Sequence, residues 1–266
     1  MDAIIQSMAS IKLDKLSIGY THNRQQRPVM SVFDAMLESG EFIALIGANG
    51  AGKSTLLRTL SAFQDPLSGT ITYPDGKSHR RKASELATQM AVVLTDNRSI
   101  NNLTVREVVA LGRVPYTNFI GYERKNDEMK IARAMHYVDI SHLAQRSIET
   151  LSDGERQKCM IAKALAQETP VILLDEPTSF LDFGSKVQLF RLLRNLAHEE
   201  KKAILISTHD IELALQLTDK LWLIHNGDIY TGSVDELVEK GILQEFIENE
   251  GIHYNVATNR IEIEKL

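Results

Sequence analysis

The chain has 266 residues, 43% of them hydrophobic and 24% charged, with a formal net charge of -5. This is the composition of a globular protein long enough for one large domain or a domain with a sub-lobe. The acidic balance argues against a nucleic-acid binder, which usually carries a basic patch, and the run holding Lys77, Arg80, Arg81 and Lys82 reads as a solvated loop.

Cys159 is the single cysteine, which excludes an internal disulfide and a cysteine-type zinc site; its apolar helical surroundings predict a buried, inert thiol. The N-terminus lacks the pattern of a secretory signal, and no apolar run approaches the ~18 residues that cross a bilayer. The expectation is a cytoplasmic protein that reaches a membrane only through a partner.

Taken in chain order, residues 11–20, IKLDKLSIGY, alternate apolar and polar as a half-buried strand does, and residues 21–28 read as a loop. Residues 41–46, EFIALI, are a short apolar run and predict a buried strand. A glycine-rich turn follows, then a helical pattern from Lys53 to about Phe63. Residues 69–76 read as strand then turn, and MAVVL at 90–94 as another buried strand. Between about 100 and 165 the period changes to helical, with Thr104 placed as an N-cap before Val105 and further helices over 126–138 and 155–167. Strands over 171–175 and 203–207 alternate with helices over 184–198 and 211–218. Asn226-Gly227, between apolar runs, predicts a type I′ hairpin. The last 25 or so residues read as helix, then a short strand or tail. Alternating strands and helices imply an α/β fold with a mostly parallel sheet covered on both faces, an antiparallel β piece beside it and a helical insert.

Two motifs carry chemistry. GANGAGKST (Gly47, Ala48, Asn49, Gly50, Ala51, Gly52, Lys53, Ser54, Thr55) matches G-x-x-x-x-G-K-[ST] between a predicted strand and a predicted helix, which identifies a P-loop NTPase core. Its glycines let backbone N–H groups wrap phosphate oxygens, Lys53 would reach the β- and γ-phosphates, and Ser54 would coordinate Mg²⁺. VILLDE ends an apolar strand in two acids, at the sheet end where open α/β folds bind ligands. There Asp175 would hold Mg²⁺ and Glu176 would act as general base toward an attacking water. A third segment, LSDGE, has the Ser152-to-Glu155 spacing of a capping box at a helix start, which is also where anions bind. The phosphate loop by itself leaves the NTPase class open.

Taken together, GANGAGKST, LSDGE, VILLDEP, SFLD and STHD resemble the nucleotide-binding subunit of an ATP-binding-cassette (ABC) transporter over roughly residues 11–235. The resemblance implies an ATPase using ATP and Mg²⁺. It assigns Tyr20 to the aromatic that stacks on adenine, His209 to the switch histidine near the γ-phosphate, and Asp182 to a contact with the opposite subunit. It places Ser152 and Gly154 against ATP in trans, so a homodimer is expected. A membrane permease would bind through the helical insert, a solute-binding protein would act indirectly, and nucleic acid would play no part. The expected division is a core of about 1–95 and 165–240, a helical subdomain of about 96–164 and a tail of about 241–266.

Two positions depart from the family pattern. Thr95 stands where a glutamine usually touches Mg²⁺ and water, so Thr95 acting through water, or Asp96 in its place, is expected to supply that oxygen. Asp153 stands where glycine is usual, and its side chain is expected to point away from the nucleotide. LTVREVVALGRVPYTNF and LLDEPTSFLD look most like motors of importers for chelated iron, haem or cobalamin. An importer for another solute, or a soluble ABC ATPase outside transport, is the alternative.

Overall fold

A computed structural model of the chain describes residues 10–23, 25–78, 83–94, 100–116, 126–248, 252–258 and 260–264. Its centre is a six-stranded sheet in the order β11-β10-β5-β9-β8-β7. These strands are β5 (Phe42–Gly47), β7 (Met90–Val93), β8 (Val171–Asp175), β9 (Ala203–Ser207), β10 (Lys220–His225) and β11 (Asp228–Gly232). All neighbours are parallel except β10 with β11. Every residue of β5, β8 and β9 is buried, as expected where helices cover both faces.

Side-chain alternation divides this sheet between two hydrophobic clusters. Phe42, Ala44, Ile46, Ile172, Leu174, Ile204 and Ile206 point to one face, where Phe190 meets Phe42 edge-on at 5.7 Å between ring centroids. Ile43, Leu45, Val171, Leu173, Leu205 and Trp222 point to the other, onto helix α1 (Lys53–Leu60) and the antiparallel sheet β4-β1-β6. That sheet joins β1 (Ile11–Ser17) to β4 (Phe33–Leu37) and β6 (Ser68–Thr72).

The reading of residues 21–28 as a loop is corrected. Gly19–His22 and Gln25–Pro28, β2 and β3, pair as an antiparallel ribbon with Tyr20 opposite Arg27. Nearly all of its residues are exposed, so no hydrophobic alternation marks it. Its turn includes Asn23 at φ 49°, a conformation asparagine tolerates. Helix α1 stops at Leu60, short of Phe63; Ala62 follows at φ 56°, which ends the helical run.

Between β7 and β8 lie α3 (Val105–Ala110), α4 (Asp127–Tyr137) and α5 (Asp153–Ala166), with α2 (Ala83–Leu86) ahead of them. Val105, Val108, Ile131, Met135, Cys159 and Ile161 from this stretch belong to the same cluster as the first sheet face. Cys159 is fully buried, and burial pushes its thiol up to about 12, so it stays protonated and inert. Thr104 caps α3 in a reciprocal box with Glu107. The chain continues from α3 as a 3-10 helix through Tyr116, where the Arg113 guanidinium pairs with buried Asp127 at 2.8 Å and donates to the Ala166 carbonyl. One side chain thereby pins the ends of three helical segments.

After β9 come α7 (Ile211–Leu217) and the β10–β11 hairpin, in which Asn226 and Gly227 have φ of 52° and 84°, as a type I′ turn requires. Helix α6 (Phe183–Glu200) links β8 to β9. The C-terminal part folds as α8 (Val234–Glu239), α9 (Ile242–Ile247) and a hairpin of β12 (Ile252–Asn255) with β13 (Arg260–Ile263). Among the described residues, no helix is long and apolar enough to cross a membrane.

Candidate functional site

Parallel pairing brings the chemistry to one end of the sheet. β9 lies between β5 and β8, with Leu45 opposite Ser207 and Ser207 opposite Asp175. The phosphate loop leaving β5, the two acids leaving β8 and His209 leaving β9 therefore share the carboxyl edge, where ligands of open α/β sheets sit.

The phosphate loop is wound around its own lysine. Buried Lys53 donates through Nζ to the carbonyls of Gly47 at 2.8 Å and Ala48 at 3.2 Å. Burial lowers its pKa, opposed by the nearby carboxylates of Glu176 and Asp175, which favour the charged form. Gly52 has φ 103°, and a Cβ there would fall 2.5 Å from Val29 Cγ1, so the loop turns against the segment following β3 in a way open only to glycine. Gly50, at φ 78°, looks onto open space. Asn49 and Ala51 lie on the same turn, and exposed Ser54 lies in the first turn of α1. Thr55 is buried and bonds the Tyr20 hydroxyl at 2.8 Å. Tyr20 is 53% exposed and lines a cleft of about 390 Å³ with Gln26, Gln64 and Leu67, so it is not a residue of the strand core.

Asp175 is buried and accepts the Ser207 hydroxyl at 2.6 Å. Glu176 leaves the strand at φ 48°, a left-handed conformation that costs a non-glycine residue about 1–3 kcal/mol and collects at functional sites. Its backbone N–H donates to Ser207 Oγ at 2.9 Å, and its Oε1 meets His209 Nε2 at 2.7 Å. Ser207 thus fixes both acids, a role that its place in AILIS did not mark. Its one signal is a hydroxyl closing an apolar strand.

Hard oxygen donors are what a magnesium ion takes, usually one or two from protein with the rest from phosphate and water. The Asp175 carboxylate and the Ser54 hydroxyl meet that description. Thr95 and Asp96 lie outside the described residues.

Ser152 caps α5 as a full capping box: Glu155 N–H donates to Ser152 Oγ at 3.3 Å, while Ser152 N–H and Oγ–H donate to Glu155 Oε2 at 2.8 and 2.9 Å. Those bonds hold the Glu155 carboxyl below its usual range. Asp153 is exposed in the first turn. A Cβ on Gly154 would approach the Phe180 carbonyl to 3.0 Å, so this helix start rests on the segment running into Asp182. Asp182 caps α6, accepting Ser185 N–H at 2.9 Å and Ser185 Oγ–H at 2.8 Å, which lowers its pKa. Ser152, Gly154 and Asp182 form one neighbourhood, and none of them bonds to the phosphate loop among the described contacts.

A model of the ABC transporter family matches residues 31–179, more than half of the chain. The chain is 39% identical over 254 residues to an ABC transporter ATP-binding protein of Methanocaldococcus jannaschii, covering 95% of this chain and 86% of the relative. It is 35% identical to the ferric enterobactin transport ATP-binding protein FepC of Escherichia coli, covering 90% of this chain and 87% of the relative. A solved ATP-binding subunit of an ABC transporter superposes with a TM-score of 0.76 at 26% identity, covering 87% of this chain and 93% of that one.

Proposed function

Because the chain belongs to the ABC transporter family, as an ATP-hydrolysing subunit, we propose that two copies enclose ATP and drive a separate membrane permease that imports a ferric siderophore. The observation that carries the chemical half is the 2.7 Å contact between His209 and Glu176 beside the Lys53 loop.

In this reading the backbone of residues 47–55 and the Lys53 ammonium hold the β- and γ-phosphates, and Tyr20 stacks on the adenine. Ser54 and Asp175 hold Mg²⁺, with Thr95 as a further oxygen donor; the ion supplies charge neutralisation at the phosphates. Glu176 takes the proton of the attacking water, and His209 holds the Glu176 carboxylate in place. Ser152 and Gly154 contact the nucleotide of the partner subunit, and Asp182 meets the opposite copy. The helical stretch of about 96–164, between core segments of about 1–95 and 165–240 that precede a tail of about 241–266, receives the permease. That contact places the subunit on the inner face of the membrane. What supports the solute class is the 35% identity to a ferric enterobactin transport ATPase.

The test is reconstitution with a ferric-siderophore permease and binding protein of the same organism, in liposomes supplied with ATP. ATP-dependent uptake of a ferric siderophore is expected, and Glu176→Gln is expected to lower ATP turnover by about 10²-fold or more. Uptake of cobalamin in place of the ferric chelate would move the solute class while leaving the motor reading intact. Full turnover by Glu176→Gln would remove the general-base role.

A further inference from the structure

Aspartate is among the residue types that favour a helix N-cap, where its side chain can accept a backbone N–H of the first turn. Asp210 occupies the N-cap position of α7, yet its side chain makes no cap bond. Elsewhere Thr104, Ser152, Asp182 and Ser233 all cap their helices with their own oxygens. Asp210 directs both carboxylate oxygens away from its own helix. Oδ2 accepts Thr178 Oγ1–H at 2.7 Å, and Oδ1 accepts Lys186 Nζ at 2.8 Å. The Asp210 N–H meanwhile donates to Thr208 Oγ1 at 3.0 Å.

Each partner belongs to a different part of the site. Thr178 lies two residues after Glu176, and Lys186 lies one turn into α6, the helix that Asp182 caps. Lys186 could pair with Asp182 at i, i+4, but that carboxylate is bound to Ser185. The Lys186–Asp210 pair is mostly shielded, with side-chain exposures of 24% and 23%, and charge-assisted bonds in such surroundings are stronger and more directional than neutral ones.

We infer that Lys186 is a positioning residue for His209: through Asp210 it holds the turn that carries the histidine and ties that turn to the helix begun by Asp182. The inference rests on the reading of Glu176 and His209 as the catalytic pair. A shift of the Asp182 segment is carried by Lys186 to the residue beside His209, and Thr178 carries the same constraint to the Glu176 turn.

The experiment uses the full chain and measures kcat and KM for ATP, with Tm as a check, in Lys186→Met, Lys186→Arg, His209→Gln and the double variant Lys186→Met/His209→Gln. Lys186→Met is expected to lower kcat about tenfold, the scale of a misplaced catalytic group. KM is expected to stay within about twofold, and Lys186→Arg to recover most of the loss, because arginine keeps the charge that Asp210 binds. In the His209→Gln background, adding Lys186→Met is expected to change kcat by less than about twofold, since a residue acting through His209 has nothing left to position. An unchanged kcat in Lys186→Met overturns the inference, and so does an independent, multiplicative loss in the double variant. A fall in Tm with no recovery by Lys186→Arg overturns it in favour of a purely structural pair. Normal turnover by His209→Gln removes the catalytic reading beneath it, a separate outcome visible in the single variant.

Discussion

Two helix starts in this molecule are built for opposite electrostatic ends. Helix α1 begins at Gly52, in a left-handed conformation, with no side-chain cap and no acid in its first turn. Its first residue is Lys53. Helix α5 begins with a complete capping box and carries Asp153 and Glu155 in its first turn. The first leaves N–H groups and the positive end of the helix dipole for an anion. The second satisfies part of its own N–H groups and neutralises its own dipole. In the proposed arrangement, a phosphate arriving at α5 would have to share Ser152 with Glu155, so that helix start would be a conditional contact and the phosphate loop the standing one. Under the proposed function, this asymmetry has ATP bind one subunit first and recruit the second afterwards.

The largest break in the comparison comes from Lys53→Met, which removes the cation from the open start. Nucleotide affinity is expected to fall about 100-fold, the scale of losing charged hydrogen bonds, as measured by titration with a fluorescent ATP analogue. The wild-type protein adds a pH signature. Burial lowers the Lys53 pKa from 10.5, so its charge is present below the folded value and is lost as pH rises through it. Affinity should therefore decline at a pH below 10.5, and Lys53→Met should lack that decline. An affinity unmoved by the substitution would equalise the two helix starts.

Ser152→Ala acts on the closed start. Losing the cap is expected to lower stability by about 1 kcal/mol, read as a fall in Tm, while nucleotide affinity of the isolated subunit stays unchanged. A loss of affinity in the monomer would mean that Ser152 serves ATP in its own subunit.

Asp153→Gly gives the smallest effect. With its carboxylate in solvent, ATP-dependent dimerisation measured by light scattering should move by less than about threefold. Tightening beyond tenfold would put that carboxylate against phosphate and make the second helix start more repulsive than its capping box alone implies.

Much of this contrast is legible in the residues, because caps and phosphate loops are local. Lys53 reaches the Gly47 and Ala48 carbonyls within a loop only a few residues long, and Ser152 and Glu155 reach each other across one turn. The covered strands were legible too, since EFIALI, VILLD and AILIS are apolar except for one polar residue at an end of each. The β2–β3 ribbon was not, because its exposed residues leave no periodic trace of pairing. Nor was the bonding of Asp210, which stands at a helix N-cap position and bonds across the fold to Thr178 and Lys186.

The sequence by itself determined the phosphate chemistry, the pair of acids and the family. Only the tertiary structure decided which of these groups meet. Glu176 and His209 touch at 2.7 Å because β8 and β9 are neighbours in the sheet, and Lys186 reaches Asp210 because α6 returns across that edge. Spacing along a chain records local geometry, while strand order is settled by which faces bury together.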